Sequence, residues 1–88
     1  MPNRGWRELL DPLDARTKLV YYVLSSECGD PGGDGWVTIT ERQIERWSSL
    51  SVWDWDEAAN RLQHAGVLVE QRILQGSRSY LASWRRDA

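Results

Sequence analysis

The fold is decided by one stretch of the sequence, Ser51-Val-Trp-Asp-Trp-Asp-Glu-Ala-Ala-Asn-Arg-Leu-Gln-His-Ala-Gly66. Ser51 is a favourable N-cap because its hydroxyl oxygen can accept a hydrogen bond from a backbone N–H of the first helical turn. Asp54 adds a negative charge near the positive end of the helix dipole. Gly66 is a favourable residue for ending a helix, and the apolar run 67–69 that follows has strand character. Three apolar residues recur at helical spacing and are expected to face inward: Trp55, Ala59 and Leu62. The stretch therefore predicts a helix that leads directly into a strand.

A shorter helix is predicted immediately before this one. Thr40 and Gln43 can form a capping box, from which a helix over 41–47 leads to a turn at 48–50. Leu50 is expected to fill the angle between the two helices, as in a helix-turn-helix unit.

Strands are predicted on both sides of the two helices. Trp36–Ile39 alternates between apolar and polar residues and is flanked by turns, which favours a short strand that pairs with the later hairpin; the alternative is an extended connector. Two further strands, 67–74 and 79–84, are predicted around a turn at 75–78 that contains Gly76.

The first helix is predicted to open at Asp11-Pro12, with the aspartate as N-cap and the proline at the first helical position. It should run to Glu27 or Cys28. Tyr21 and Tyr22 would lie on different flanks of this helix, so at least one of them should be partly exposed.

Composition excludes several classes of protein. A chain of 88 residues has room for one domain. Cys28 is the only cysteine, which excludes an intramolecular disulfide and favours a cytoplasmic location, and no stretch approaches the length of a membrane span. No nucleophile and base share a site around the single histidine, His64, and the loop 30–35 lacks the ligand pattern of a calcium site. We therefore expect no enzyme activity, no metal and no cofactor.

Charge is unevenly distributed along the chain. The formal net charge is −2, but residues 1–60 carry a net −5 and residues 61–88 a net +3. An electrostatic surface for nucleic acid would therefore have to be local, in the C-terminal third.

The order of these segments resembles the winged helix-turn-helix family. The resemblance rests on the residues that form the short helix, the turn, the second helix and the hairpin, namely Glu41–Ser51, Trp55, Ala59, Leu62, Ala65–Val69 and Gly76–Tyr80. It implies an α+β winged helix with three main helices, a short strand and a two-stranded β-hairpin wing, over roughly 12–84. An N-terminal arm, 1–11, and a frayed tail, 85–88, would flank it. Such domains include microbial, plasmid and phage regulators of transcription or replication, although similar modules bind RNA or proteins.

The resemblance also implies a set of contacts to double-stranded DNA. The second helix, 52–65, would enter the major groove while the wing reaches the backbone. The implied DNA-binding residues are Arg42, Arg46, Trp53, Asn60, Arg61, Arg72 and Arg78.

The start of the second helix departs from the family pattern. It carries Val-Trp-Asp-Trp-Asp-Glu over 52–57 where Ser, Thr, Arg, Lys or Gln is usual, and three carboxylates without a basic partner would be repelled by DNA. The alternative is a protein-interaction module that docks through Val52, Trp53, Asp56 and Glu57. In a third interpretation Trp53 belongs to the core.

A homodimer is expected under the DNA-binding interpretation. The first helix and the N-terminal segment offer candidate dimer residues, Trp6, Leu9 and Tyr21 or Tyr22, and the alternative is that these residues close the core.

Overall fold

The structure, a computed structural model, describes residues 10–26 and 35–83. This described part is α+β, with three helices and one three-stranded antiparallel sheet. Its elements are α1 (Ala15–Ser26), β1 (Trp36–Thr40), α2 (Glu41–Ser48), α3 (Val52–His64), β2 (Leu68–Leu74) and β3 (Ser77–Ala82). The expectations for Trp6, Leu9, Cys28, the acids of the 30–35 loop, Trp84 and the tail at 85–88 lie outside the described residues.

The sheet has three strands because β1 joins the hairpin. The strand order is β1-β3-β2, and β1 pairs with β3 from Trp36 opposite Leu81 to Thr40 opposite Ser77. The predicted strand at Trp36 and its pairing with the hairpin are confirmed, and the hairpin is part of a three-stranded sheet instead of standing as a two-stranded wing.

The hairpin turn is shorter than predicted. Leu74 pairs directly with Ser77, so the chain reverses over Gln75 and Gly76 alone. Gly76 has a φ of +79° with no atom close to where a Cβ would lie, and a positive φ is what the second position of such a tight turn requires. The predicted turn at 75–78 is therefore wrong, and Arg78 lies inside β3.

The first helix begins later than predicted. Asp14, not Asp11, is the capping residue, since its Oδ1 accepts the backbone N–H of Thr17 at 2.8 Å and α1 starts at Ala15. Pro12 falls in the turn that precedes the helix. Tyr21 is buried and Tyr22 is exposed, as expected for residues on different flanks.

The helix ends of α2 and α3 agree closely with the sequence. Thr40 Oγ1 accepts the N–H of Gln43 at 3.1 Å while Gln43 Oε1 accepts the N–H of Thr40 at 2.9 Å, which confirms the capping box. Ser51 caps α3 by accepting the N–H of Asp54 at 3.1 Å.

The exit from α3 is a Schellman motif. Gly66 has a φ of +89°, and its backbone N–H donates to the carbonyl oxygen of Gln63 at 3.0 Å. The backbone N–H of Val67 donates to the carbonyl oxygen of Leu62 at 2.9 Å. This ending confirms the role predicted for Gly66 and directs the chain into β2.

The core lies between the helices and one face of the sheet. Trp55 is fully buried, and its Nε1–H donates to the hydroxyl oxygen of Tyr80 on β3 at 2.8 Å. Ala59 and Leu62 are also fully buried, so the inward stripe predicted for α3 is confirmed. Leu50 is partly buried and packs against this core from the turn between α2 and α3.

None of the helices in residues 10–26 and 35–83 has the length and apolar character needed to cross a membrane.

Candidate functional site

The outward face of α3 carries a stripe of polar and aromatic side chains. Trp53, Glu57, Asn60 and His64 are exposed, at the spacing that places them opposite the buried stripe of the same helix. Trp53 is 87% exposed, so the interpretation that it belongs to the core is wrong. Its neighbour two positions on, Trp55, occupies the core instead.

Every carboxylate in the first two turns of α3 has an arginine partner. Asp54 lies 3.4 Å from Arg16 of α1, Glu57 lies 3.5 Å from Arg61 one turn later, and Asp56 lies 2.9 Å from Arg78 of β3. The expectation that these three acids lack a basic partner is therefore wrong. Two of the partners come from distant parts of the chain, which is why the local sequence did not reveal them.

Arg78 is almost completely buried, with 5% of its surface exposed. Its Nε and Nη2 donate to the two carboxylate oxygens of Asp56 at 2.9 and 3.1 Å, and its Nη1 donates to Glu41 Oε2 at 2.9 Å. Nη1 also lies 3.0 Å from the carbonyl of Ser77. The hydrogen bonds that Arg78 donates to Asp56, and then to Glu41, raise the pKa of Arg78. The guanidinium thus links α2, α3 and the hairpin. The prediction that Arg78 lies on an exposed wing is wrong.

Arg61 joins α3 to the start of α1. Its Nη1 lies 2.7 Å from Asp14 Oδ2, and both side chains are about half exposed. The nearby hydroxyl of Thr17 and the hydrogen bond that the Thr17 backbone N–H donates lower the pKa of Asp14, and the charges of Arg61 and Arg16 add to this effect. Asp14 is therefore both the helix cap and an ionic contact between two helices.

The lowered pKa of Asp14 predicts a pH-dependent contribution to stability. A carboxylate whose pKa is lower in the folded state stabilises the fold above its unfolded pKa, and this stabilisation is lost as pH falls through the folded value. Asp14→Ala should lower the melting temperature at pH 7, and the difference from the unchanged protein should shrink as pH falls below 3.8, the ordinary value for this group.

Thermal unfolding followed by circular dichroism between pH 7 and pH 2 measures this effect. Asp11→Ala is the matched control, because Asp11 is an exposed acid three residues earlier that does not cap α1. A loss of melting temperature for Asp11→Ala equal to that for Asp14→Ala would contradict the assignment of the cap.

A cluster of three carboxamides lies where α3 meets β2. Gln71 Nε2 donates to Asn60 Oδ1 at 2.5 Å and to Gln63 Oε1 at 2.7 Å. Asn60 and Gln63, together with His64, line an open depression of about 390 Å³. Asn60 was predicted as a contact residue, whereas Gln71 and Gln63 were not. One indication of this cluster was present in the sequence, because Gln71 is polar although it shares a predicted strand face with Val67 and Val69.

The remaining predicted arginines lie apart from the outward stripe of α3. Arg72 is exposed on β2, where its guanidinium stacks over the ring of Trp36 at 4.2 Å and lies 3.8 Å from Glu70. Arg42 and Arg46 are exposed on α2, one helical turn apart, and neither makes an ion pair with any residue in the described part of the chain.

Comparisons of the chain with models of protein families, with curated proteins and with solved structures found no match.

Proposed function

We propose that this chain is a small DNA-binding protein of the winged helix-turn-helix type that regulates transcription or replication. Support comes from the succession of α2, a three-residue turn and α3, followed by the β2–β3 hairpin. Ser49, in the turn, takes the left-handed conformation with a φ of 62° and so lets α3 leave α2 at an angle. α3 would lie in the major groove, and the Gln75–Gly76 turn would be the tip of the wing.

The observation that carries the proposal is the pairing of the acids on α3. Asp56 shares a bidentate ion pair with Arg78, and Asp54 and Glu57 lie close to Arg16 and Arg61. Arg61 is shared with Asp14 and Arg78 with Glu41, so a phosphate that approaches α3 meets carboxylates whose charge is partly compensated within the protein. The pairing thus weakens the main electrostatic objection to DNA binding, which was three unpaired acids at the start of the helix.

The proposed contacts use side-chain donors that make no hydrogen bond to another described residue. Arg42 and Arg46, one turn apart on α2, would bind backbone phosphates. Asn60 keeps its amide N–H groups for base edges, and the exposed ring of Trp53 would pack against sugar or base at the groove. Arg72 would reach the backbone from the sheet. Arg61 and Arg78 would act indirectly, by holding the acids of α1, α2 and α3 in place.

This proposal predicts a salt-dependent affinity for duplex DNA that depends on α2. Each phosphate contact contributes about 0.9 to the slope of log K against log salt, so Arg42→Ala and Arg46→Ala should each weaken binding and reduce the slope by about 1. The measurement is fluorescence anisotropy of a labelled random duplex at several salt concentrations.

Lys18→Ala is the matched control, because it removes one positive charge from α1, outside the proposed contacts. The same loss of slope for Lys18→Ala would indicate a nonspecific charge effect. A folded protein that does not bind the duplex at low salt would contradict the proposal.

A second candidate function is docking to a protein partner through Val52, Trp53, Asp56 and Glu57. It is favoured by the exposure of Trp53 at the first turn of α3, because large exposed aromatic side chains are frequent anchors of protein interfaces. Failure to bind DNA at low salt, together with capture of a protein partner by the unchanged chain and not by Trp53→Ala, would favour this function over the first.

A further inference from the structure

β2 is an edge strand with an unusually apolar surface. Among the described residues it pairs with β3 alone. Five large hydrophobic side chains are exposed in the described part of the chain, and three of them belong to this strand: Val69 at 39%, Ile73 at 60% and Leu74 at 51%. β2 contains neither proline nor lysine, two residues that commonly protect an edge from pairing with another chain.

The backbone of β2 also offers hydrogen-bonding groups at this edge. In a two-residue hairpin the closing pair, here Leu74 and Ser77, exchanges both backbone hydrogen bonds. Because such bonded pairs alternate along an antiparallel ladder, the N–H and C=O groups of Gln71 and Ile73 point away from β3. No described residue pairs with these groups, so they could bond to a further strand.

The sequence of β2 is complementary to its own reverse. It reads Leu68-Val-Glu-Gln-Arg-Ile-Leu74, and its chemistry is symmetric about Gln71. If two copies pair in antiparallel orientation with Gln71 opposite Gln71, then Glu70 of each copy lies opposite Arg72 of the other, and Val69 lies opposite Ile73. Cross-strand pairs of opposite charge and of β-branched side chains both stabilise a sheet.

The register centred on Gln71 also satisfies the backbone. The N–H and C=O groups of Gln71 face outward and can bond to those of its symmetry mate, whereas a pairing centred on Glu70 or Arg72 would place like charges directly opposite each other. Glu70 and Arg72 are both exposed, at 54% and 62% of their side-chain surface, so they are accessible to a second copy. Each copy has a β-bulge between Leu68 and Glu70, so one bulge falls at each end of the symmetric pairing and the central residues, Glu70 to Arg72, remain regular on both strands.

We propose that two copies of this chain associate through β2, in antiparallel register about Gln71, to form a twofold-symmetric dimer with one continuous six-stranded sheet. The interface is isologous, because the same strand contributes both halves. This dimer goes beyond DNA binding and does not depend on it. It also differs from the dimer expected through the first helix, because it uses neither Tyr21 nor Tyr22.

Charge reversal tests the register directly. Glu70→Arg places arginines opposite each other at both symmetry-related positions, and Arg72→Glu places carboxylates opposite each other. Each single variant should raise the dimer dissociation constant at least about tenfold, since two attractive pairs become repulsive. Mixing the two variants in equal amounts should restore association, because each reversed side chain then meets its opposite charge. The double variant Glu70→Arg/Arg72→Glu should dimerise like the unchanged chain.

Sedimentation equilibrium over a range of concentrations measures the association, and native mass spectrometry of the mixture identifies the heterodimer. Tyr22→Ser is the control, since it removes an exposed aromatic side chain from α1 and should leave the dimer intact. Far-UV circular dichroism of each variant checks that the monomer is folded. A monomeric unchanged chain at every concentration, a dimer that survives both single reversals, or a mixture without heterodimer would overturn the proposal.

Discussion

Replacement of Trp55 by alanine is expected to lower the free energy of unfolding by about 3–5 kcal/mol, the range for truncating a large aromatic side chain in a packed core. Trp55 has no exposed surface and also donates a hydrogen bond to Tyr80. A domain of this size has a total stability of only about 4–13 kcal/mol, so the loss is a large share of the total and would unfold the chain at the low end of that range. Chemical denaturation followed by far-UV circular dichroism measures the change.

The same helix supplies a matched control in Trp53→Ala. It removes an identical side chain two residues earlier, from a position that is 87% exposed, and should change stability by less than about 0.5 kcal/mol. The contrast between the two variants tests the orientation of α3 about its axis. Equal destabilisation, or a larger effect at Trp53, would show that the helix faces the core with a different side.

Replacement of Arg78 by methionine is expected to destabilise the fold by about 2–4 kcal/mol. Methionine keeps the length of the aliphatic stem but leaves Asp56 and Glu41 without the cation that both contact. Breaking a fully buried ion pair costs about 3–5 kcal/mol. The expected cost is somewhat smaller here because 27% of the Asp56 side chain and 43% of the Glu41 side chain remain exposed to solvent.

A double-mutant cycle separates the lost ion pair from lost packing. If the cost arises from an uncompensated carboxylate, Arg78→Met combined with Asp56→Asn should be less destabilised than the sum of the two single changes. Arg46→Met, which removes an exposed arginine of α2 that makes no ion pair with a described residue, should change stability by less than about 0.5 kcal/mol. Strict additivity of Arg78→Met and Asp56→Asn would contradict the proposed link.

Local signals in the sequence were sufficient for most of the secondary structure. The capping box at Thr40, the cap at Ser51 and the glycine at position 66 act within a few residues of the helix ends that they define, so their effects can be recognised without knowledge of the fold. The burial of Trp55 followed from helical periodicity for the same reason.

The errors arose where two local signals competed. Asp11 and Asp14 are both suitable caps, and the proline after Asp11 favoured the wrong one. At the hairpin, Gly76 was recognised as a turn residue, but the exact length of the turn depends on how the two strands align. That alignment decided whether Arg78 would be exposed on a wing or buried in a strand.

The charge pattern of the candidate site required tertiary information. Arg16 and Asp54 are 38 residues apart, and Arg78 and Glu41 are 37 residues apart, so neither contact is visible as a local spacing. Only the pair of Glu57 and Arg61, at positions i and i+4 of one helix, has a spacing that sequence reasoning could use.

Because the guanidinium of Arg78 lies between acids of α2 and α3, these two helices cannot be separated from β3 without a change in their charge. A peptide cut to residues 41–66 would keep α2, the turn and α3, but Glu41 and Asp56 would lose the cation that lies between them. In the intact chain these two acids share the positive charge of Arg78, whereas in the graft they would have no cation beside them. Transplanting α3 with the surface charge that it has in this chain therefore requires β3 to be carried with it, although 22 residues separate Arg78 from Asp56.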